Sequence, residues 1–212
     1  RSAWGGKPVE TFTSREALAS IPEGKVQLDA LDQAVAKFDP QQAEKQYQAA
    51  LDKWNKARAE AKNTPQDKKA RAPRKPTPPR DPAATEGRPA ALYNGMIHPF
   101  VGYPMRGAIW YQGEANAKSP ESAANYGKLF PLMINDWRKR WDDEFSFLWV
   151  QLANFRAPAT DPGAVDPWAI LQDQQRMSLA LPKTGMATIN DIGAAGNIHP
   201  TNKKEVGERL AR

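Results

Sequence analysis

Short apolar runs and helix-period segments take turns between residues 107 and 190, and this alternation restricts the fold more than any other feature of the chain. Three runs read as strands: GAIWY (107–111), FSFLWVQLA (145–153) and GMATIN (185–190), each short, apolar and bounded by turn residues. Between the first two lies SAANYGKLFPLMINDWRKRW, where Tyr126, Leu129, Phe130, Met133, Ile134, Trp137 and Trp141 recur at the spacing of one helical face. Pro131 falls within it and predicts a kink or a late start, because proline removes a backbone donor and its ring crowds the preceding turn. Between the second and third lies DPWAILQDQQRMSLAL, opened by Asp166 and Pro167, a helix start signal. Parallel neighbours need a crossover of a dozen residues or more, and helices of this length supply it. The expectation is an α/β fold built on a parallel sheet.

Ahead of these units the texture changes twice. The first stretch combines the Gly5-Gly6 pair with a short helical pattern from Ser14 to Ser20, with Ser14 placed to cap it. FDPQQAEKQYQAALDKWNKARAEAK follows: Asp39 is an N-cap, Pro40 takes the first helical position, and Ala43, Tyr47, Ala50, Leu51, Trp54 and Ala61 fall near helical spacing. Then NTPQDKKARAPRKPTPPRDPAATEGRP holds seven of the nineteen prolines and reads as extended and exposed, since proline lacks the donor a helix or central strand needs. Residues 39–89 are therefore expected to be a surface insertion, a helix and then a Pro-rich basic segment, within one domain covering 1–212.

That insertion also holds the charge. Lys53 to Arg80 carries ten Lys or Arg against Glu60 and Asp67, which exceeds the formal +6 of the whole chain, so the remainder is slightly acidic. A solvated linker accounts for this, and no nucleic-acid partner is expected; an anionic partner would require salt-dependent binding that disappears with the insertion. The absence of cysteine excludes disulfides, thiolate metal sites and a Cys nucleophile. No apolar run approaches the roughly 18 residues of a membrane span. The opening RSAWGGKPVE has neither an initiator Met nor a signal-like apolar stretch, and it reads as the interior of a longer chain.

The densest polar cluster is WYQGEANA (110–117), at the end of the first strand. In an open parallel sheet, functional groups gather at the carboxyl ends of strands. Gly113 allows close approach to the main chain, and Gln112 and Asn116 offer side-chain N–H donors, an arrangement suited to holding an oxyanion; a polar turn closing a strand accounts for the same residues. His199, in GNIHPTNKKEVGERLA, follows a Gly-rich loop and precedes a helical pattern, a place suited to a general base. His98 stands among apolar residues in LYNGMIHPF and reads as structural. Gly5-Gly6 permits an exposed N–H, and is equally an ordinary turn. Two histidines a hundred residues apart and no cysteine give no metal-ligand cluster, and no phosphate-binding glycine loop is present.

Taken together, SAWGGKPVETFTSREAL, NGMIHPFVGYPMRGAIWYQGEANA and INDIGAAGNIHPTNKKEVGERLA resemble successive blocks of the sialate O-acetylesterases, members of the SGNH hydrolase superfamily. The pieces YGKLFPLMINDWRKRW, FSFLWVQLANF and WAILQDQQRMSLALP are similar to that family in the same order. The resemblance implies a flavodoxin-like three-layer α/β/α domain, incomplete at its N-terminus, and a serine esterase that removes acetyl groups from sugars with no cofactor and no metal. On this resemblance His199 matches the catalytic base. Gly5 or Gly6 matches a backbone donor to the oxyanion, and Gln112, Gly113, Glu114 and Asn116 match the block that completes that side of the pocket. The family's early GDS- or GQSN-type serine segment has no counterpart here. The nucleophile is therefore expected upstream of Arg1, in an N-terminal portion of the same enzyme, and the chain alone is expected to be inactive. The acid that orients the histidine is also displaced: Gly196 stands three positions before His199 and Asn197 two. Either Asp191 reaches the imidazole through the loop or a backbone carbonyl does. An acetylated carbohydrate is the implied substrate and the periplasm or the outside of the cell the implied location. The alternative is an inactive homologue that binds glycans or serves as a scaffold.

Overall fold

The computed structural model describes residues 5–63, 74–157, 160–161 and 163–212. Two compact units divide the chain: Arg1–Asp29 with Glu86–Arg212, and Ala30–Thr85.

In the larger unit the predicted alternation forms a parallel sheet: β1 (Gly107–Trp110), β2 (Ser146–Val150) and β3 (Thr184–Ala187), in the order β1-β2-β3. Gly107 stands opposite Ser146, and Phe147 opposite Thr184. The crossovers are α4 (Pro120–Trp141) and α5 (Pro167–Met177), capped by Ser119 and Asp166, whose side chains accept from Ser122 N and Trp168 N. Each strand is shorter than its apolar run: β1 ends at Trp110, β2 at Val150 and β3 at Ala187, and residues 152–153 and 188–190 form loops at the carboxyl ends.

Successive strand residues face opposite sides of a sheet. Phe147 and Trp149, both fully buried, meet Phe130 of α4 edge-on at centroid distances of 6.0 and 5.2 Å. Leu171 of α5 joins the same cluster. Val150, on the other side, packs with Ile189 and with Val206 of α6 (Lys203–Leu210). Helices thus cover one face fully and the other only beside β2 and β3, where Val206 packs, while Ile109 of β1 on that second face is 74% exposed.

Pro131 neither stops α4 nor delays its start; the helix runs through it. Tyr126, Leu129 and Phe130 before the proline and Met133 and Ile134 after it are all at most 1% exposed. Burial of such side chains stabilises by about 1.5–3 kcal/mol each, enough to offset the ~3 kcal/mol cost of an interior proline. At the end of α4, buried Arg138 donates to the carbonyls of Phe145 and Pro182 and thereby fixes the segments that enter β2 and β3.

The N-terminal segment is fastened to α4. Ser14 caps α1 (Arg15–Ala19) as its position suggested, and its N–H and hydroxyl both donate to buried Asp136, each at 2.9 Å. Trp137 Nε1 donates to Phe12 O at 2.9 Å. His98 is exposed in a short 3-10 turn, its ring edge-on to Tyr93 at 5.9 Å, so its apolar neighbours in sequence do not enclose it.

The smaller unit holds the end of α2 (Pro22–Lys37), a helix not anticipated from sequence, together with α3 (Pro40–Asn63). Asp39 caps α3 through the N–H groups of Gln41 and Gln42. Trp54 carries Arg58 and Lys75 at 5.2 and 5.8 Å from its ring centre. The first part of the Pro-rich basic segment, residues 64–73, lies outside the described residues.

Candidate active site

At the carboxyl end of β1 the sheet opens into a cleft of about 480 Å³ lined by Gly5, Gly6, Gln112, Glu114 and His199 among others. Three segments far apart in the chain meet there. A more open groove of about 610 Å³ lies at the other end of the strands, where Arg106, Ser146 and Lys183 enter the sheet, and no histidine lines it.

The polar residues of WYQGEANA divide between wall and support. Gly113 has φ +154°, and a Cβ there would fall 2.8 Å from Leu171 Cδ2 and 3.3 Å from Gln175 Nε2. The glycine is needed because the turn is pressed against α5. Buried Gln175 bridges this turn to the end of β2, donating to Gln112 O at 3.1 Å and accepting from Leu152 N at 2.9 Å. Asn116 is 2% exposed and stands behind the cleft. Its Oδ1 accepts from Val9 N and Gln112 Nε2, both at 2.9 Å, and its Nδ2 donates to Glu10 Oε2 at 3.0 Å.

Gln112 Nε2 also donates to Lys7 O at 3.1 Å, so one of its amide hydrogens is spent on the segment that carries Gly5 and Gly6 and the other on Asn116 of its own turn. The side-chain donors singled out in the sequence therefore act first as a clasp between strand end and N-terminal segment. The donors left over are main-chain groups. Neither the Gly5 nor the Gly6 N–H bonds to another described residue. Gly6 has φ +67°, and a Cβ on either glycine would meet nothing within 4 Å. Backbone conformation, and not crowding, accounts for Gly6.

His199 reaches the cleft on the loop after β3, and the loop after β2 props it. Gly193 N donates to Asn154 Oδ1 at 2.9 Å, and Arg156 N donates to Ala195 O at 2.8 Å. A Cβ at Gly193 would lie 2.6 Å from the Asn154 carbonyl oxygen. The backbone N–H of His199 donates to Asn197 Oδ1 at 2.9 Å. Among the described residues the exposed His199 imidazole makes no hydrogen bond.

Asp191 turns elsewhere. It accepts from Arg209 Nη1 and Nη2 at 2.6 and 2.7 Å, tying the loop to α6, and is not among the residues that line the cleft. The bidentate guanidinium holds its carboxyl down to about 2, with backbone hydrogen bonding adding to the effect.

Lys7, Phe12, Trp110, Tyr111, Ile198 and Lys203 also line the cleft and were not singled out as site residues in the sequence. For Lys7, Tyr111 and Ile198 the available signal was adjacency to Gly6, Gln112 and His199. Burial, with a smaller contribution from the Glu114 carboxylate, pushes the Tyr111 phenol up to about 12, so it is neutral at ordinary pH. Among the described residues no group of three or more His, Asp or Glu is placed to hold a metal ion, and no helix is long and apolar enough to cross a membrane.

Comparison with known proteins accords with this arrangement. The family model described as carbohydrate esterase, sialic acid-specific acetylesterase matches residues 86–212. Sialate O-acetylesterase of Rattus norvegicus is 27% identical over 224 residues, covering 99% of this chain and 37% of that protein. The Mus musculus protein of the same name is 33% identical over 138 residues, covering 58% of this chain and 25% of its own length. A crystal structure of a carbohydrate acetylesterase from Xanthomonas citri shares 51% identity with a TM-score of 0.56, covering 59% of this chain and 29% of that one. The chain spans between a quarter and about two fifths of the length of these relatives. With the family model matching more than half of its residues, the chain belongs to the sialic acid-specific acetylesterase family of carbohydrate esterases.

Proposed function

We propose that the cleft at the end of β1 is part of the active site of a carbohydrate O-acetylesterase, similar to a sialate 9-O-acetylesterase, in a flavodoxin-like three-layer SGNH domain. The observation that carries this reading is the meeting of Gly5, Gly6, Gln112, Glu114 and His199 around one cavity. In the proposed reaction a serine supplied upstream of Arg1 attacks the acetyl carbonyl carbon, and His199 takes its proton. The carbonyl oxygen becomes an oxyanion facing the Gly5 and Gly6 N–H groups. Collapse of the intermediate breaks the bond to the sugar oxygen, which leaves with the proton from His199; water then releases acetate by the same steps in reverse order. Removing one oxyanion donor typically costs on the order of 3–4 kcal/mol of transition-state stabilisation.

Because Asp191 is held by Arg209 and the imidazole makes no hydrogen bond among the described residues, we assign the site a Ser-His dyad in which Asp191 does not take part. The test is hydrolysis of p-nitrophenyl acetate by the full-length protein beside His199→Ala: a loss of about a thousandfold or more in kcat is expected, and comparable turnover refutes the assignment. The second reading, an inactive homologue that binds glycans or serves as a scaffold, is favoured by the absence of a hydrogen bond to the imidazole among the described residues. It requires glycan binding by a full-length protein that does not turn over the ester.

A further inference from the structure

The exposed imidazole of His199 makes no hydrogen bond among the described residues, so its place in the cleft depends on the chain that carries it. That chain is braced from a fixed base. The first loop residues after β2 are bound to α5 three times: Leu152 N donates to Gln175 Oε1 at 2.9 Å, Leu152 O accepts from Gln172 Nε2 at 2.7 Å, and Ala153 O accepts from Trp168 Nε1 at 2.8 Å. Leu152 and Ala153 are buried. The next residue, Asn154, is exposed and gives its Oδ1 to the Gly193 N–H of the loop after β3. Gly193 fits there for want of a side chain, since a Cβ would fall 2.6 Å from Asn154 O and 2.8 Å from Ala153 Cβ. Its φ lies outside the left-handed region, so space and not conformation calls for the glycine. A Cβ on Gly196, in the same loop, would meet nothing within 4 Å. From Gly193 the path to the imidazole is short: Arg156 N donates to Ala195 O, Asn197 N donates to Ala194 O at 3.1 Å, and Ile198 packs against the main core.

We propose that Asn154, interlocked with Gly193, is a positioning residue for His199: it carries the fixed geometry of the end of β2 across to the loop that bears the base. The inference rests on the proposed esterase reading of the cleft and adds the group that keeps the base in line. Asn154 is not among the residues that line the cleft, so it acts through the loop and not on the substrate. A loop freed of this contact spends part of its time with the imidazole out of line. Turnover falls in proportion, whereas substrate binding, supplied by the other walls, does not. One hydrogen bond of this kind is worth roughly fivefold in the population of the aligned loop.

The experiment is steady-state hydrolysis of p-nitrophenyl acetate by the full-length protein across pH, with melting temperatures measured alongside. Asn154→Ala should lower kcat about fivefold and leave KM, the midpoint of the pH profile and the melting temperature unchanged. Asn154→Asp, which keeps the acceptor, should restore most of the lost turnover. Gly193→Ala should also lower kcat, and combining it with Asn154→Ala should add nothing further, because both changes break one contact. Gly196→Ala should match the wild type. The inference is overturned by a kcat for Asn154→Ala within about twofold of the wild type, by losses that multiply in the double variant, by failure of Asn154→Asp to restore turnover, or by a fall in melting temperature that accounts for the loss. A wild type that does not turn over, or a His199→Ala variant that does, defeats the esterase reading and this inference with it. Turnover that needs His199 and is indifferent to Asn154→Ala defeats only the role of Asn154.

Discussion

Asn116→Ala removes the clasp behind the cleft. Its side chain serves three partners: Val9 N–H, one Gln112 amide hydrogen and the Glu10 carboxylate. Val9 is fully buried, so its N–H has no route to solvent once Oδ1 is gone, and Gln112 loses one of two partners. A buried donor left unpaired costs about 1–3 kcal/mol. Two such donors give a loss of about 2–5 kcal/mol, with little offset from burial since alanine fills less space. The loss falls on the attachment of the Gly5-Gly6 segment to the strand end. It is read by chemical denaturation and, locally, by hydrogen exchange at the Val9 amide, which should lose protection before the amides of α4 do. Asn116→Asp separates the parts: it keeps both acceptor contacts and sets a second carboxylate against Glu10. It should be destabilised at neutral pH and recover as acid adds a proton to the pair. A change below about 0.5 kcal/mol for Asn116→Ala, or unaltered exchange at Val9, would show that the clasp does not hold the segment.

Three further outcomes follow from the same geometry. Gly113→Ala, which sets a Cβ 2.8 Å from Leu171 Cδ2 at φ +154°, should destabilise by about 1–3 kcal/mol in thermal or urea unfolding. NMR titration should find Asp191 near 2, and Arg209→Gln should return it toward the ordinary 3.8. Its contribution to the loop–helix tether is complete above that ordinary value and is lost as pH falls through about 2. The Tyr111 phenol, raised by burial and then by Glu114, should ionise near 12. Stability from that site is complete below pH 10 and lost as pH rises from 10 to about 12, measurable by ultraviolet difference spectroscopy.

The strand and helix order was legible because a parallel α/β unit writes its two periods directly into the chain, as in β2 and in the apolar face of α4. Ser14, Asp39 and Asp166 were legible as caps because a cap is a local contact between a side chain and N–H groups two or three residues on. The length of α2, its apolar positions sparse, was not legible, nor was the continuation of α4 through Pro131, which depends on burial by distant partners.

By itself the sequence determined which residue types were available for chemistry: glycines near the start, an amide-rich turn after the first strand, and a histidine after the last. Tertiary structure decided what those groups do. The hydrogens of Gln112 and Asn116 went to Lys7 O, Asn116 Oδ1 and Glu10, the carboxylate of Asp191 went to Arg209, and Lys203 came to rest over Tyr111. The reason is physical. A donor's capacity belongs to its residue, whereas its partner is set by whichever acceptor folding brings within about 3 Å, often from a segment a hundred positions away.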